Sequence, residues 1–122
     1  MQNGANMGEN AIAEKSFAFS VRIVNLYKYL KKEEKEYVLA KQLLRCGTSI
    51  GANVSEAQRG QSKADFTAKM CIALKEANET DYWLRLLHAT GFLSKAQFES
   101  MNTDVNELIS LLAAICKTSA QK

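Results

Sequence analysis

Apolar residues recur every three or four positions through most of this chain, which is the spacing of one face of an α-helix. The first such run extends from about Glu9 to Lys32, and its main apolar row comprises Ile12, Phe19, Ile23, Leu26 and Leu30. A second row, well round the helix from the first, comprises Phe17, Val21 and Val24. Packing within one chain needs a single apolar stripe, so we expect another surface to cover the second row.

The second predicted helix follows the charged segment KKEEKE at 31–36, which is typical of a solvated turn. Its apolar residues recur at helical spacing and comprise Leu39, Leu43, Cys46, Ile50, Val54 and Ala57. This spacing predicts a continuous helix through the stretch GTSIGANVS, although each interior glycine costs about 1 kcal/mol relative to alanine. Ala40, Gly47 and Gly51 flank the apolar stripe. We therefore expect a neighbouring helix to pack against them with its backbone unusually close.

The third predicted helix spans 63–91 and is apolar on two faces. Before it, Gly60 suits a helix C-terminus that requires a left-handed residue, and Ser62 with Asp65 forms an N-cap pattern. Its first apolar stripe comprises Phe66, Met70, Leu74, Ala77 and Leu84. Its second stripe comprises Ile72, Trp83 and Leu86. Like the first helix, it has more apolar surface than packing within one chain requires.

The fourth predicted helix follows Gly91 and begins with the capping box Ser94-Lys95-Ala96-Gln97. Its main apolar positions are Phe98, Met101, Val105, Leu108, Leu112 and Ile115. Short connections between four helices of similar length imply antiparallel neighbours, and the 122 residues include no proline. The sequence thus predicts an all-α, up-down-up-down four-helix bundle over residues 10–118, with tails at 1–9 and 119–122.

The cysteines and the hydropathy of the chain indicate where in the cell the protein is located. Cys46, Cys71 and Cys116 show no C-x-x-C spacing and lie inside apolar helical patterns. We therefore expect three reduced core residues and a cytoplasmic location. The apolar run LLAAIC at 111–116 is far too short to span a bilayer, and the first ten residues lack the order of a signal peptide. No membrane partner is predicted.

Catalytic and metal-binding patterns are missing from the sequence. The one histidine, His88, falls on an apolar stripe, where a hydrogen-bonded core residue is expected, and no Glu-x-x-His pair exists for a ferritin-like metal site. Glu76 and Glu79 favour a charge network or a subunit contact over an acid–base pair, because no nucleophile accompanies them. The expected partners in such a network are Arg22, Lys28 and Arg45. We predict no catalytic residue, no cofactor, no metal and no enzymatic activity.

The outer side of the second predicted helix carries a weak basic stripe. Lys41, Arg45 and Arg59 fall within a narrow arc opposite the apolar residues, interrupted by Glu56, and Lys63 follows just beyond. The net charge of +3 permits contact with an anionic partner but does not demand one, because mild basicity also aids solubility. The stripe alone does not choose between these two explanations.

Two segments, QLLRCGTSIGANVSEAQRGQSKADF (42–66) and IALKEANETDYWLRLL (72–87), together resemble a known four-helix-bundle family. Its proteins are encoded by intervening sequences within bacterial large-subunit ribosomal RNA genes, and the chain also looks distantly like the accessory variability proteins of diversity-generating retroelements. The matching positions are Gln42, Leu43, Thr48, Ser49, Ile50, Asn53, Glu56, Ser62, Phe66, Glu76, Glu79, Thr80, Tyr82, Trp83 and Leu84. One departure is Gly51, where many members have proline. The resemblance implies a homo-oligomer, a pentamer around a central axis, with a proposed role in binding structured nucleic acid.

Two functions follow from the stripe and the resemblance. An assembled oligomer would multiply the basic stripe into a ring of positive charge that binds structured RNA or DNA through Lys41, Arg45, Arg59 and Lys63. The alternative is an oligomeric scaffold, or a module that binds another protein, without a nucleic-acid role. Clustering of the four cations on one surface would favour the first function, and even spreading would favour the second.

Overall fold

The computed structural model describes residues 7–120, with side chains from residue 10 onward. Its four helices are α1 (Met7–Lys32), α2 (Val38–Gln58), α3 (Lys63–Ala89) and α4 (Lys95–Ala120). Positions 1–6 and 121–122 of the predicted tails lie outside the described residues, and α1 and α4 include the remainder of both tails. The described part of the chain contains no strand, so the predicted all-α fold is confirmed.

Each helix packs against its neighbours in sequence, and α1 closes the arrangement by packing against α4. Within the described range, no Cα atom of α1 lies within 8 Å of one in α3, and the same holds for α2 and α4. The four helices therefore form a square in which α1 and α3 stand at opposite corners, as expected for antiparallel helices joined by short turns.

A single apolar core runs between the helices, built from the stripes that the sequence predicts. Its fully buried large side chains include Ile12, Phe19, Ile23, Leu30, Leu43, Ile50, Met70, Leu84, Leu108 and Leu112. The second apolar rows are only partly covered by the chain itself, since Val24, Trp83 and Leu86 are partly buried and Trp83 packs against the core. Phe17 is 71% exposed on α1, and Ile72 and Tyr82 are 41% and 49% exposed on α3. Because α1 and α3 stand at opposite corners, these two patches face away from each other.

The glycine-bearing stretch is helical throughout, and its glycines allow α1 to approach α2 closely. A Cβ atom added to Gly47 would lie 2.8 Å from two side-chain carbons of the buried Ile23. A Cβ atom added to Gly51 would lie 3.0 Å from Ser20 Oγ and 3.2 Å from the carbonyl oxygen of Ser16. The predicted close packing is confirmed, because a side chain at Gly47 would require Ile23 to shift and one at Gly51 would press against Ser16 and Ser20.

The caps of α3 and α4 agree with the sequence prediction. The Ser62 hydroxyl accepts a hydrogen bond from the backbone N–H of Asp65 at 3.1 Å. Ser94 and Gln97 form the reciprocal capping box, with hydrogen bonds of 2.8 and 3.1 Å. Gly91, in the turn between α3 and α4, has a φ of +89° and is therefore left-handed.

The prediction that Gly60 adopts a left-handed conformation at the end of α2 is wrong. The left-handed glycine among the described residues is Gly91, not Gly60, and α2 ends through backbone hydrogen bonds from Arg59 and Gly60 to Glu56 and Ala57. A Cβ atom on Gly60 would instead lie 3.1 Å from the carbonyl oxygen of Ala57. Close packing at the α2–α3 turn, rather than backbone conformation, therefore favours glycine here.

The prediction of three reduced core cysteines is wrong for two of them. Cys71 of α3 and Cys116 of α4 form a disulfide with Cα atoms 5.4 Å apart, and both residues are only partly buried. They lie at the edge of the apolar faces, where adjacent helices meet, and therefore reach each other. Cys46 is buried and free, as expected. The cytoplasmic location thus loses its basis in reduced cysteines and stays a prediction.

Among the described helices, none has the length and apolar character needed to cross a membrane.

Candidate nucleic-acid interface

The outer face of α2 carries two of the predicted binding residues, one near each end. Lys41 and Arg59 are both exposed, and the exposed Ser55 lies between them. At 1.5 Å of rise per residue, the eighteen steps from Lys41 to Arg59 correspond to about 27 Å. Lys63, also exposed, is the first residue of α3. These three cations are spread in a row along one edge of the bundle rather than clustered, so their placement alone does not favour nucleic-acid binding over a scaffold.

Arg45, the fourth predicted residue, is turned toward α3 and paired there. Its guanidinium forms a salt bridge and hydrogen bond with the Glu79 carboxylate, and its Nη1 lies 3.6 Å from Glu76 Oε1. A hydrogen bond from the Trp83 indole, followed by those from Arg45, lowers the pKa of Glu79. Glu79 is therefore ionised at neutral pH, and two carboxylates of the same chain offset the charge of Arg45.

The network between α2 and α3 confirms the charge network predicted for the two glutamates, with Arg45 as the partner. Trp83 Nε1 donates to Glu79 Oε2 at 3.2 Å. Glu76 Oε1 is buried and accepts no hydrogen bond from the described residues, so its compensation is the nearby guanidinium. Arg22, another expected partner, pairs instead with Asp104 of α4 at 2.6 Å. These groups hold α2 and α3 in register, because loss of one partner would leave a carboxylate without its counter-charge.

Cations are paired with carboxylates very unevenly over the molecule. Six of them form ion pairs: Lys15, Arg22, Arg45, Lys69, Arg85 and Lys95. Seven on the α1–α2 hairpin and the turn after it make none with any described residue: Lys28, Lys31, Lys32, Lys35, Lys41, Arg59 and Lys63. In the rest of the described chain, only Lys75 and Lys117 are likewise unpaired. Cations without an ion pair are therefore concentrated on the hairpin and the turn after it, where they outnumber the carboxylates that likewise form none: Glu14, Glu33, Glu34 and Glu36.

Sequence reasoning missed Lys28, Lys31 and Lys32 because the mixed signs of KKEEKE suggest a solvated turn. Two carboxylates of that segment are engaged locally: Glu36 accepts from the backbone N–H of Ala40 at 2.9 Å, and Glu34 accepts from the Tyr29 hydroxyl at 3.1 Å. The spacing of the three lysines, at i, i+3 and i+4, places them on one side of a helix. That spacing is the sequence feature from which a basic surface at these three lysines could have been predicted.

Comparison with known proteins places this bundle among its relatives. The family profile described as 23S rRNA-intervening sequence protein matches residues 8–114. The chain belongs to the 23S rRNA-intervening sequence protein family. A crystal structure at 1.70 Å of a protein with unknown function from the S23 ribosomal protein family of Bacteroides thetaiotaomicron is 56% identical, with a TM-score of 0.89. The match covers 91% of this chain and 99% of that one. No curated protein matches the chain.

The segments that carry the family resemblance form the contact between α2 and α3. Glu76, Glu79 and Trp83, three of the resembling positions, belong to the network around Arg45. Lys41 and Arg59 lie on the opposite, outer side of α2 and are not among those positions. Part of the resembling motif therefore corresponds to packing between helices, Tyr82 of the same motif is exposed, and the basic row is a separate feature of the surface.

His88 and Cys46, the other side chains considered for chemistry, are both engaged in packing within the bundle. His88 Nδ1 lies 3.0 Å from the carbonyl oxygen of Leu93, and its ring stacks on Phe98 with centroids 4.8 Å apart; this confirms its packing role. Burial raises the pKa of Cys46 to about 11, so its thiol stays protonated at neutral pH. Across residues 7–120, no group of three or more His, Cys, Asp or Glu side chains is placed to hold a metal ion.

Proposed function

We propose that the protein is a non-enzymatic homo-oligomer that binds structured nucleic acid through the basic surface of its α1–α2 hairpin. The observation that supports this most strongly is the set of seven hairpin and turn cations without a carboxylate partner among the described residues. Such cations can replace the counterions of a phosphate backbone without first breaking an ion pair, and the release of those counterions favours binding.

Within that surface, Lys41, Arg59 and Lys63 are the phosphate contacts that we propose along the edge of α2. Arg45 stabilises the bundle instead, because its charge is offset by Glu76 and Glu79. Lysine and arginine contacts to phosphate fix the position of a protein on nucleic acid but carry no direct sequence information. Binding should therefore depend on the shape and charge of the nucleic acid more than on its sequence.

Assembly into an oligomer would cover the exposed apolar patches and repeat the basic surface. The patch around Phe17 on α1 and the patch of Ile72 and Tyr82 on α3 stand at opposite corners of the bundle. A contact between one patch of each copy and the other patch of the next is heterologous, and such contacts generate a closed ring when the rotation between successive copies closes. In the pentamer that the family resemblance implies, five copies at +3 would carry about +15.

The assembly predicts a molar mass that gel filtration coupled to light scattering can measure at micromolar concentration. We expect a multiple of 13.6 kDa, five-fold for the pentamer. Phe17→Ser should reduce the mass, since its 71% exposed side chain packs little within the subunit. Ser55→Ala, on the outer face of α2, is the matched control. A mass of one subunit would exclude the assembly, and another multiple would exclude the pentamer.

Nucleic-acid binding can be tested by fluorescence anisotropy with a labelled RNA hairpin and a labelled DNA duplex. Replacing Lys41 and Arg59 together by glutamine should weaken binding to both and reduce the dependence of log Kd on log salt by about one for each lost phosphate contact. The double variant of Lys75 and Lys117, each to glutamine, removes the same charge from α3 and α4 and should bind more nearly like wild type. Equal losses in both double variants would contradict a hairpin interface. No binding by the wild type would favour the scaffold or protein-interaction module.

A further inference from the structure

An open cradle lies beside the turn between α1 and α2, with a volume of about 370 Å³. Its lining consists of Tyr27, Lys28, Lys31, Lys32 and Tyr37. We propose that this cradle binds an unpaired nucleotide of a structured nucleic acid, with the Tyr37 ring against the base and the lysines on the adjoining phosphates. The proposal rests on the proposed function and assigns it a ligand, a strand with an unstacked base.

The aromatic half of the cradle consists of Tyr27, whose ring is covered by Lys31, and Tyr37, whose ring is exposed. Lys31 Nζ lies 4.9 Å from the centroid of the Tyr27 ring, a cation–π arrangement that holds both side chains in place. Tyr37 is 54% exposed, and its hydroxyl makes no hydrogen bond to any residue that the structure describes. An exposed tyrosine ring is a platform on which any base can stack, since every base has a π-face.

The charged half of the cradle is positive because its lining includes three lysines and no carboxylate. Lys28, Lys31 and Lys32 are exposed. Glu36 accepts hydrogen bonds from the first turn of α2, and Glu34 accepts one from Tyr29.

Two further charged side chains of the turn, those of Glu33 and Lys35, are exposed and offset each other in sign. Glu34 and Glu36 keep their negative charge, because their hydrogen-bond donors are neutral. Residues 28–36 therefore carry a net charge of +1, and the positive charge lies in the lining of the cradle.

The combination of features favours a nucleotide over other anions. A free phosphate or an acidic peptide would satisfy the lysines but would leave the exposed ring of Tyr37 unused. A blunt duplex presents phosphates, but its bases are stacked inside the helix and cannot reach the ring. An unpaired base in a loop or bulge of structured RNA offers both groups, and an open cradle of this volume admits it from solvent.

The test compares a labelled RNA hairpin with an unpaired loop, a labelled oligouridine and a labelled blunt duplex by fluorescence anisotropy. Tyr37→Leu should weaken binding to the hairpin and to oligouridine roughly 5- to 150-fold, as expected for the loss of one stacked base. Its affinity for the blunt duplex should stay within about two-fold of wild type, because no stacked base is lost there. Tyr37→Phe retains the ring and should bind like wild type. Replacing Lys28 and Lys32 together by glutamine should weaken binding to all three ligands and flatten their salt dependence.

Different results would contradict nucleotide binding in the cradle and nucleic-acid binding by the protein as a whole. If the wild type binds none of the three ligands, both fail. If the wild type binds and the Lys41 and Arg59 double variant is weakened, but Tyr37→Leu is unchanged on oligouridine, the cradle alone is overturned. Equal losses on oligouridine and duplex would also contradict base stacking. Competition by polyglutamate as effective as competition by oligouridine would make the site a general anion site instead.

Discussion

Reducing the Cys71–Cys116 disulfide should lower the free energy of unfolding of the bundle by about 4 kcal/mol. The bond joins α3 to α4 across 45 positions of sequence, and a cross-link that closes a loop of this length restricts the unfolded chain strongly. Domains of this size are stable by only about 5 to 15 kcal/mol. The loss should therefore be among the largest that a single chemical change produces in this protein.

The measurement is chemical denaturation of the wild type with and without a thiol reductant, beside the variant with serine at both Cys71 and Cys116. The reduced wild type and the double variant should have similar, lowered midpoints, and reductant should not change the variant further. Cys46→Ala with the disulfide intact separates the effect of the buried free thiol. Equal midpoints for oxidised and reduced wild type would show that the cross-link adds no stability.

Gly47→Leu should destabilise the fold by about 1 to 3 kcal/mol, because the new side chain must enter space that Ile23 already fills. Even a single Cβ atom there would lie 2.8 Å from two Ile23 carbons. Removing a glycine from a helix interior returns about 1 kcal/mol of helix propensity, which reduces the loss without reversing it. Displacement of α1 from α2 is the expected structural consequence.

Ser55→Leu is a matched control for that substitution, because it places the same side chain on the exposed face of α2. Denaturation midpoints should fall for Gly47→Leu and change little for Ser55→Leu. An unchanged midpoint for Gly47→Leu would mean that α1 and α2 separate at little cost. Partial recovery on adding Ile23→Ala, which vacates the same space, would locate the conflict at this contact.

Helix positions and core faces could be predicted from sequence because they depend on periodicity within each segment. The continuous α2 through Gly47 and Gly51 is an example, since the apolar spacing on either side keeps one helical phase. Capping at Ser62 and Ser94 was likewise readable, because each cap involves residues only three apart. These features depend on local geometry, which the order of residues determines.

Pairings between helices were less accessible, because they depend on how far each helix is rotated about its axis. The disulfide between Cys71 and Cys116 needs two neighbouring helices to present their edges at the same height. Arg45 lies on the same arc as Lys41 and Arg59 in a helical wheel, yet it forms ion pairs with Glu76 and Glu79 of α3. The cations that remain unpaired could therefore be identified only after the carboxylates had been placed.

The most direct test of nucleic-acid binding is the salt dependence of wild-type affinity for a structured RNA, measured by fluorescence anisotropy between about 50 and 200 mM salt. With phosphate contacts at Lys41, Arg59 and Lys63, log K should fall linearly with log salt, with a slope of about −3 or steeper. RNAs of unrelated sequence and similar shape should give similar slopes. Absence of binding at the lowest salt concentration, or an affinity that does not change with salt, would contradict a phosphate-binding surface on the α1–α2 hairpin.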